Sequence, residues 1–215
     1  MSSPGVVHVV DDDPSFRTAV MRMLTAAGLS VRSFASGTEL LAHLAGDAAK
    51  DERGCVLADL CMPGLDGLQL QQACRDVGVE LPFVFLTGKG DLPSAVSAMR
   101  LGAVDFLDKC APRNALLDSL TQALERSATA RASHAHREQL ERRFAALTVR
   151  ESEVLGYVVH GKMNKQIAAA LGIHERTVKL HRSAITTKLG VRSVAELTTL
   201  ARQAGRFDEP RQPCP

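Results

Sequence analysis

The sequence predicts an α/β domain with a doubly wound, five-stranded parallel sheet, followed by a helical linker and a small all-α domain of four helices. Strand-like apolar runs alternate with helical patterns over residues 1–125. Residues 113–155 contain neither Gly nor Pro, and short helices with capping signals follow. Such alternation is typical of a parallel sheet covered by helices on both faces. We predict domains at 1–125 and 147–206, a linker at 126–146 and a disordered tail at 207–215.

Five apolar runs in the first part of the chain have the length and composition of strands. The runs "VVHVV" and "PFVFL" are almost continuously apolar. This pattern favours strands that are buried on both faces of the sheet. The predicted strands span residues 6–10, 29–34, 55–59, 82–86 and 104–107.

Capping and breaking residues delimit five helices around these strands. Asp13 is expected to cap the first helix, which begins at Pro14 and ends at Gly28. Ser36 and Glu39 have the spacing of a capping box at the start of the second helix. The other three helices are expected after Gly67, from about Asp91 to Leu101, and from about Pro112 onward.

Composition excludes several classes of protein. The apolar runs are far shorter than the ~20 residues that a membrane-spanning helix needs. The N-terminus lacks the basic and apolar regions of a secretory signal. The five cysteines show no metal-ligand spacing, which favours reduced thiols. These features predict a cytoplasmic protein without a membrane partner.

Charge is distributed unevenly along the chain. Residues 1–125 carry 10 Lys and Arg against 16 Asp and Glu, whereas residues 126–215 carry 16 against 8. An acidic first part favours a cation site, and a basic second part favours an anionic polymer as partner.

Polar residues stand where the predicted strands end. Asp11 and Asp12 follow the first strand, and Asp59 ends the third. Thr87 and Lys109 follow the fourth and fifth strands. Because the carboxyl ends of parallel strands meet at one edge of a sheet, we expect these five side chains to converge there. Three carboxylates form a hard oxygen site suited to Mg²⁺, which also relieves their mutual repulsion.

This part of the chain resembles the flavodoxin-like receiver domain of two-component response regulators. The matching stretches are "VVDDDPSFR", "VLADLCMPGLDG" and "FLTGKGDLPSAVSAMRLGAVDFLDK". The pattern "TGxGDxPxAVxAMxxGAxDF" indicates the FixJ-like branch of the NarL/FixJ family. The resemblance implies that Asp59 accepts a phosphoryl group from a sensor histidine kinase, with Mg²⁺ as cofactor.

The resemblance also implies roles for the other residues at this edge. The implied magnesium ligands are Asp11, Asp12, Asp59 and the backbone carbonyl of Cys61. Lys109 would pair with a phosphate oxygen, and Thr87 would donate its hydroxyl to another. Phe106 would turn inward as Thr87 moves, which changes the surface of the fourth helix and fifth strand.

One departure from the family follows Lys109. The family usually has Lys-Pro-Phe with a cis peptide before the proline, whereas this chain has "DKCAPR". A cis bond before Cys110 would cost about 2.5–4 kcal/mol. An alternative is therefore a DNA-binding regulator that works without phosphorylation. A phosphatase with an aspartyl nucleophile is disfavoured, because Asp59 is not part of an Asp-x-Asp motif.

The linker is rich in Ala, Arg, Glu and Gln, which are good helix formers. The fifth helix is therefore expected to continue as a semi-rigid spacer of roughly 33 Å, at ~1.5 Å per residue. Leu140, Phe144 and Leu147 form a short apolar stripe. No heptad persists for three repeats, so packing against the following domain is favoured over a coiled coil.

The second domain contains four short helices. The first is expected to begin at a capping box of Thr148 and Glu151 and to end at about His160. The second is expected to begin at an Asn164 cap and to end at Gly172. The third is expected from about Glu175 to Leu189, and the fourth after a cap formed by Ser193 and Glu196. Two short helices with a Gly-containing turn form a helix-turn-helix pattern.

The third helix of this domain has two distinct faces. Val178, Ile185 and Leu189 point to one side at 100° per residue, and Lys179 lies on the shoulder. The opposite side carries Arg176, Leu180, Ser183 and Thr187. Such a mixture is typical of a helix in the major groove of DNA, where leucine can meet a thymine methyl group.

Residues 147–197 closely resemble the LuxR-type helix-turn-helix, with the marks "LTxREsEVL", "NKxIAxxLgI" and "TVKxHRxxIxxKLgV". The resemblance implies base contacts from Lys179, Leu180 and Ser183. It implies phosphate contacts from Lys165, Thr177, Arg182 and Lys188. His181 is either a DNA contact or a packed histidine. His174 replaces the usual Ser or Thr, which predicts a weaker helix cap.

Together the two resemblances imply a cytoplasmic bacterial response regulator that is no enzyme beyond its own phosphoryl transfer and dephosphorylation. Phosphorylation would shift it towards a homodimer, formed through the fourth helix and fifth strand. Paired domains would then bind two half-sites in double-stranded promoter DNA. RNA polymerase is a further expected partner, and the resemblance favours activation of transcription over repression.

Overall fold

The computed structural model describes residues 5–46, 54–88 and 92–206. Two compact units divide the chain, Met1–Arg131 and Ala132–Pro215. The predicted tail and the predicted start of the fourth helix at Asp91 lie outside the described residues. Within the described ranges, no helix combines the length and apolar character needed to cross a bilayer.

The first unit alternates strands and helices, as predicted. Its strands are β1 (Val6–Val10), β2 (Ser30–Phe34), β3 (Gly54–Asp59), β4 (Phe83–Thr87) and β5 (Asp105–Asp108). Its helices are α1 (Pro14–Ala26), α2 (Gly37–Leu44), α3 (Gly67–Asp76), α4 (Leu92–Arg100) and the first part of α5 (Arg113–Ala145), which belongs to the second unit from Ala132 onward. The predicted strands differ from these bounds by one residue at most.

All strand pairs are parallel, and the sheet order is β2-β1-β3-β4-β5. Successive side chains point to opposite faces, so each strand contributes to two cores. Val56 and Phe85 belong to one core with Leu70 of α3. Leu57 and Val84 belong to the other with α1 and α5 residues. The predicted doubly wound five-stranded sheet is therefore confirmed.

Side-chain caps set the starts of several helices. Asp13 Oδ1 accepts hydrogen bonds from the Ser15 and Phe16 amides at 2.8 and 3.3 Å, so it caps α1 as predicted. The sequence prediction did not identify the capping box of α3, in which Asp66 Oδ1 accepts from the Gln69 amide at 2.8 Å. These bonds satisfy amides that a helix leaves free at its first turn.

The predicted linker is not a separate element, because all of it except Ala146 belongs to α5. The prediction that the fifth helix continues through this stretch is confirmed. Phe144 lies in the core of the second unit, and Leu147 packs against that core. Leu140 is also buried. The apolar stripe is thus used in packing, as its spacing suggested.

The second unit contains α6 (Val149–Val159), α7 (Asn164–Leu171), α8 (Glu175–Leu189) and α9 (Val194–Gln203). Thr148 and Glu151 form the predicted capping box of α6. One prediction was wrong: Asn164 is the first residue of α7, and Met163 is its cap. The Asn164 side chain is instead occupied by Arg182, whose Nη1 donates to Asn164 Oδ1 at 3.0 Å.

Candidate functional site

Neighbouring strands bring the predicted acidic residues together. Asp11 follows β1, Asp59 ends β3, and these two strands are adjacent in the sheet. Carboxylate oxygens of Asp11, Asp12 and Asp59 all lie within 4.8 Å of one another. Asp11 and Asp59 are buried, whereas Asp12 is exposed. We call Asp11, Asp12, Asp59 and Lys109 the acidic pocket.

Lys109 supplies the positive charge of this pocket. Its Nζ lies 2.7 Å from Asp11 Oδ2 and 2.9 Å from Asp59 Oδ2. The Lys109 amide donates to the Thr87 carbonyl at 2.8 Å, which extends the pairing of β4 and β5 past their ends. The Phe16 ring, 4.4 Å from Nζ, adds a cation–π contact. The ammonium therefore bridges two carboxylates from different strands.

Burial and charge pairing act against each other in the pocket. Burial raises the pKa of Asp11, and the hydrogen bond from Lys109 opposes this only in part. Burial would lower the pKa of Lys109, but its hydrogen bonds to Asp11 and Asp59 outweigh that effect and raise the pKa. Lys109 is therefore a cation at neutral pH.

Backbone amides orient the two buried carboxylates. The Asp13 amide donates to Asp11 Oδ1 at 2.9 Å, and the Cys61 amide donates to Asp59 Oδ1 at 3.2 Å. Gly67 allows α3 to begin close behind Asp59, since a Cβ there would lie 2.6 Å from the Asp59 carbonyl oxygen. These contacts leave little freedom to the Asp59 side chain.

The structure also places the two predicted switch residues. Thr87 is buried at the end of β4, and half-buried Phe106 of β5 packs against the core that contains Phe85. No cis peptide bond occurs among the described residues, so Lys109 and Cys110 are joined by a trans bond. Lys109 thus reaches both carboxylates without the family's proline.

The helix-turn-helix presents the predicted faces. Val178, Ile185 and Leu189 of α8 are fully buried. On the other side, Arg176, Leu180, Ser183 and Thr187 are exposed, and so is Lys179 on the shoulder. We call these five residues the recognition face.

The four predicted phosphate contacts have different surroundings. Lys165 is exposed at the start of α7, and Thr177 is half-buried near the start of α8. Arg182 is held by Asn164 as described above. Lys188 Nζ donates to Glu151 Oε2 at 2.7 Å. The sequence prediction did not identify these last two pairs, since Lys188 lies 37 residues from its partner.

Glu151 has two roles in the second unit. Its Oε2 accepts from the Thr148 amide at 2.7 Å as well as from Lys188. Chiefly because of the Lys188 hydrogen bond, its pKa is below the usual range. The carboxylate therefore joins the start of α6 to the end of α8.

The cap residues of the two helices of the helix-turn-helix accept no hydrogen bond through their side chains: neither Met163 before α7 nor His174 before α8 does so. At α7, Gln166 Oε1 accepts from the Met163 amide at 2.8 Å, whereas the amides of the first turn stay without a side-chain acceptor from the cap residue. For His174 this confirms the weak cap expected from its side chain. Free amides at helix starts favour anions.

A parallel five-stranded sheet with this pocket, joined to a basic helix-turn-helix, defines a response regulator. Residues 7–121 match the model of the response regulator receiver domain, and residues 145–201 match that of bacterial regulatory proteins of the luxR family. The chain belongs to the NarL/FixJ family of transcriptional response regulators. Members of this family regulate transcription and are not enzymes.

Known relatives match nearly the whole chain. Nodulation protein W of Bradyrhizobium diazoefficiens is 37% identical over 95% of this chain and 88% of its own. Transcriptional regulatory protein FixJ of Azorhizobium caulinodans is 38% identical over 93% and 92%. The solved structure of response regulator StyR has 41% identity and a TM-score of 0.85, covering 92% of this chain and 98% of its own.

Proposed function

We propose that Asp59 is the phosphoacceptor of this regulator and that a sensor histidine kinase is the donor. The observation that carries the proposal is the Lys109 ammonium, which contacts both Asp11 and Asp59. A fixed cation next to a buried carboxylate is what an incoming phosphoryl group requires, because its oxygens carry negative charge.

The donor set fits Mg²⁺. Three carboxylates within 4.8 Å of one another offer the hard oxygen ligands that this ion prefers. The residues proposed to hold it are Asp11, Asp12, Asp59 and the backbone carbonyl of Cys61. When bound, Mg²⁺ offsets the charge of the phosphoryl group.

The geometry supports a defined division of labour during transfer. An Asp59 carboxylate oxygen forms the new bond to phosphorus while the bond from phosphorus to the kinase histidine nitrogen breaks. The histidine nitrogen takes up a proton from solvent, so the kinase histidine is left as neutral imidazole. Asp59 Oδ2 currently accepts from Lys109. In the acyl phosphate, Lys109 pairs with a phosphate oxygen and the Thr87 hydroxyl donates to another.

The consequence proposed for phosphorylation is a homodimer. Phe106 is expected to turn inward and alter the surface formed by α4 and β5. On α4, Val96 and Met99 are 42% and 50% exposed. These exposed apolar side chains, on a helix that contacts β5, support this surface as the proposed dimer interface.

The recognition helix α8 is proposed to bind promoter DNA in the major groove. Lys179, Leu180 and Ser183 would contact bases. Lys165, Thr177, Arg182 and Lys188 would contact phosphates, with the uncapped starts of α7 and α8 as additional donors. Asn164 orients Arg182 in the free protein, whereas a phosphate must compete with Glu151 for Lys188. A dimer that binds two half-sites in the cytoplasm and recruits RNA polymerase would activate transcription.

The test uses the full-length protein with a small-molecule phosphodonor and Mg²⁺. Intact mass should rise by one phosphoryl group in wild type and in Asp13→Asn, which keeps a good helix cap. Asp59→Asn and treatment with EDTA should abolish the gain, together with donor-dependent dimerisation. Equal DNA affinity with and without the donor would instead support the phosphorylation-independent alternative.

A further inference from the structure

We propose that Asp108 is a positioning residue, which holds the backbone of Lys109 so that the lysine ammonium points into the acidic pocket. The inference rests on the proposed phosphorylation of Asp59 and deepens it, because it identifies what takes the place of the proline that the family usually has after this lysine.

A tight turn of residues 108–111 carries Lys109 from the end of β5 towards α5. The Ala111 amide donates to the Asp108 carbonyl at 2.9 Å, which closes the four-residue turn. The peptide bond after Lys109 is trans, and neither Lys109 nor Cys110 has a positive φ. A closed turn with these properties is of type I, in which aspartate is favoured at the first position.

The Asp108 side chain adds a second hydrogen bond inside this turn. Its Oδ1 accepts from the Cys110 amide at 2.7 Å. An aspartate that bonds the amide two residues further on forms an Asx-turn, which reinforces the backbone turn locally. Asp108 is exposed, so its side chain contributes to the turn through this bond and not through burial.

The peptide groups on both sides of the Lys109 Cα are therefore held. The preceding one is fixed by the Lys109 amide, which donates to the Thr87 carbonyl at 2.8 Å, and by the bond from the Ala111 amide. The following one is fixed by Asp108 through the Cys110 amide. Because peptide groups are planar, fixing both sets φ and ψ of Lys109 and the direction in which its side chain leaves the backbone. A cation oriented before the reaction stabilises the charge of the transferring phosphoryl group most effectively.

The family's proline and this hydrogen bond exclude each other. Proline has no amide to donate, and it is disfavoured at the third position of a type I turn. In this chain Cys110 supplies the amide and Asp108 supplies its acceptor. The two residues therefore act as a pair that orients Lys109 with a trans peptide bond.

The experiment measures how fast the full-length protein gains a phosphoryl group from acetyl phosphate with Mg²⁺, by intact mass over time. Asp108→Ala should lower this rate about fivefold, the size expected for the loss of one hydrogen bond. Asp108→Asn should restore most of the rate although it lacks the charge, because its amide oxygen still accepts from Cys110. Asp118→Ala removes another exposed carboxylate of the first unit and should match wild type.

Changes at Cys110 test whether Asp108 acts through the amide of that residue. In a Cys110→Pro background the amide is absent, so Asp108→Ala should cause no further loss. In a Cys110→Ser background the amide remains, so Asp108→Ala should again cost about fivefold. The affinity for Mg²⁺, measured by calorimetry with the metal alone, should be the same in Asp108→Ala as in wild type, because no proposed magnesium ligand lies on the turn.

Four outcomes would overturn the inference while wild type is still phosphorylated. An unchanged rate in Asp108→Ala would show that the bond does not orient Lys109, and an equally slow Asp108→Asn would assign the effect to charge. An undiminished loss in the proline background would exclude the Cys110 amide as the partner. A parallel loss of Mg²⁺ affinity would indicate a general disturbance of the receiver. A wild type that gains no phosphoryl group would instead overturn the proposed function itself, so the two failures are distinguishable.

Discussion

The acidic pocket and the recognition face are built in opposite ways. The pocket gathers Asp59 at the end of β3 with residues that directly follow β1 and β5, and Lys109 pairs with both Asp11 and Asp59. The recognition face comes from α8 alone, and its side chains are exposed. A change in the pocket therefore disturbs several elements at once. A change on the face alters what is recognised and leaves the fold intact, so specificity can change independently of the signalling chemistry.

The largest expected effect distinguishes the two sides of α8. Ile185→Ala should lower the free energy of unfolding of the second unit by about 3 kcal/mol, because it leaves a cavity in a closed core. Leu180→Ala on the exposed side should change it by less than about 0.5 kcal/mol. Urea unfolding followed by the fluorescence of Tyr157, the single tyrosine of a chain without tryptophan, reports on this unit.

Equal costs for these two substitutions would contradict the division of α8 into a core face and a recognition face. Val178→Ala is a second test, since Val178 is also fully buried. It should behave like Ile185→Ala, with a smaller loss because fewer atoms are removed.

The next largest effect concerns the pocket. Lys109→Met should lower the free energy of unfolding of the receiver by about 2 kcal/mol without metal, since it leaves Asp11 and Asp59 as unpaired buried carboxylates. Mg²⁺ should restore part of this loss, and it should stabilise the variant more than wild type because it replaces the missing cation. Unfolding followed by circular dichroism, with EDTA or with Mg²⁺, measures both quantities.

An unchanged receiver stability in Lys109→Met would show that the ammonium does not balance the two carboxylates. The exposed Arg100 of α4 provides the surface control. Arg100→Met removes an exposed cation and should leave both the stability and the magnesium response as in wild type.

Much of the pocket could be predicted because it follows from topology. Asp11, Asp59, Thr87 and Lys109 each stand at a strand end, and parallel strands bring those ends together regardless of side-chain detail. The pairs Arg182 with Asn164 and Lys188 with Glu151 could not be predicted in the same way. They depend on side-chain conformations between helices far apart in sequence. The prediction that Asn164 caps α7 was wrong for the same reason. Its side chain binds Arg182, a tertiary contact that the local capping pattern does not show.

A smaller effect should appear only in acid. The pKa of Glu151 is lowered in the folded state, chiefly by Lys188, so its stabilising contribution is complete above the unfolded pKa and is lost as pH falls through the folded pKa. The urea midpoint of the second unit should therefore fall as the pH is lowered below the usual pKa of glutamate. Glu151→Gln should lower the midpoint at neutral pH and flatten this dependence, as Tyr157 fluorescence can measure. A variant whose midpoint has the same slope against pH would assign the acid sensitivity to other carboxylates.

The smallest effect comes from the uncapped start of α8. His174 accepts no cap hydrogen bond, whereas Ser193 Oγ accepts from the Glu196 amide at 3.1 Å and caps α9. His174→Ser should therefore raise the free energy of unfolding of the second unit by about 1 kcal/mol, because a hydroxyl at this position satisfies a free amide. His174→Ala is the matched control and should give no such gain. Tyr157 fluorescence in urea measures both variants. If the serine variant were no more stable than the alanine variant, water would already satisfy these amides. A side-chain cap would then add nothing to the stability of α8.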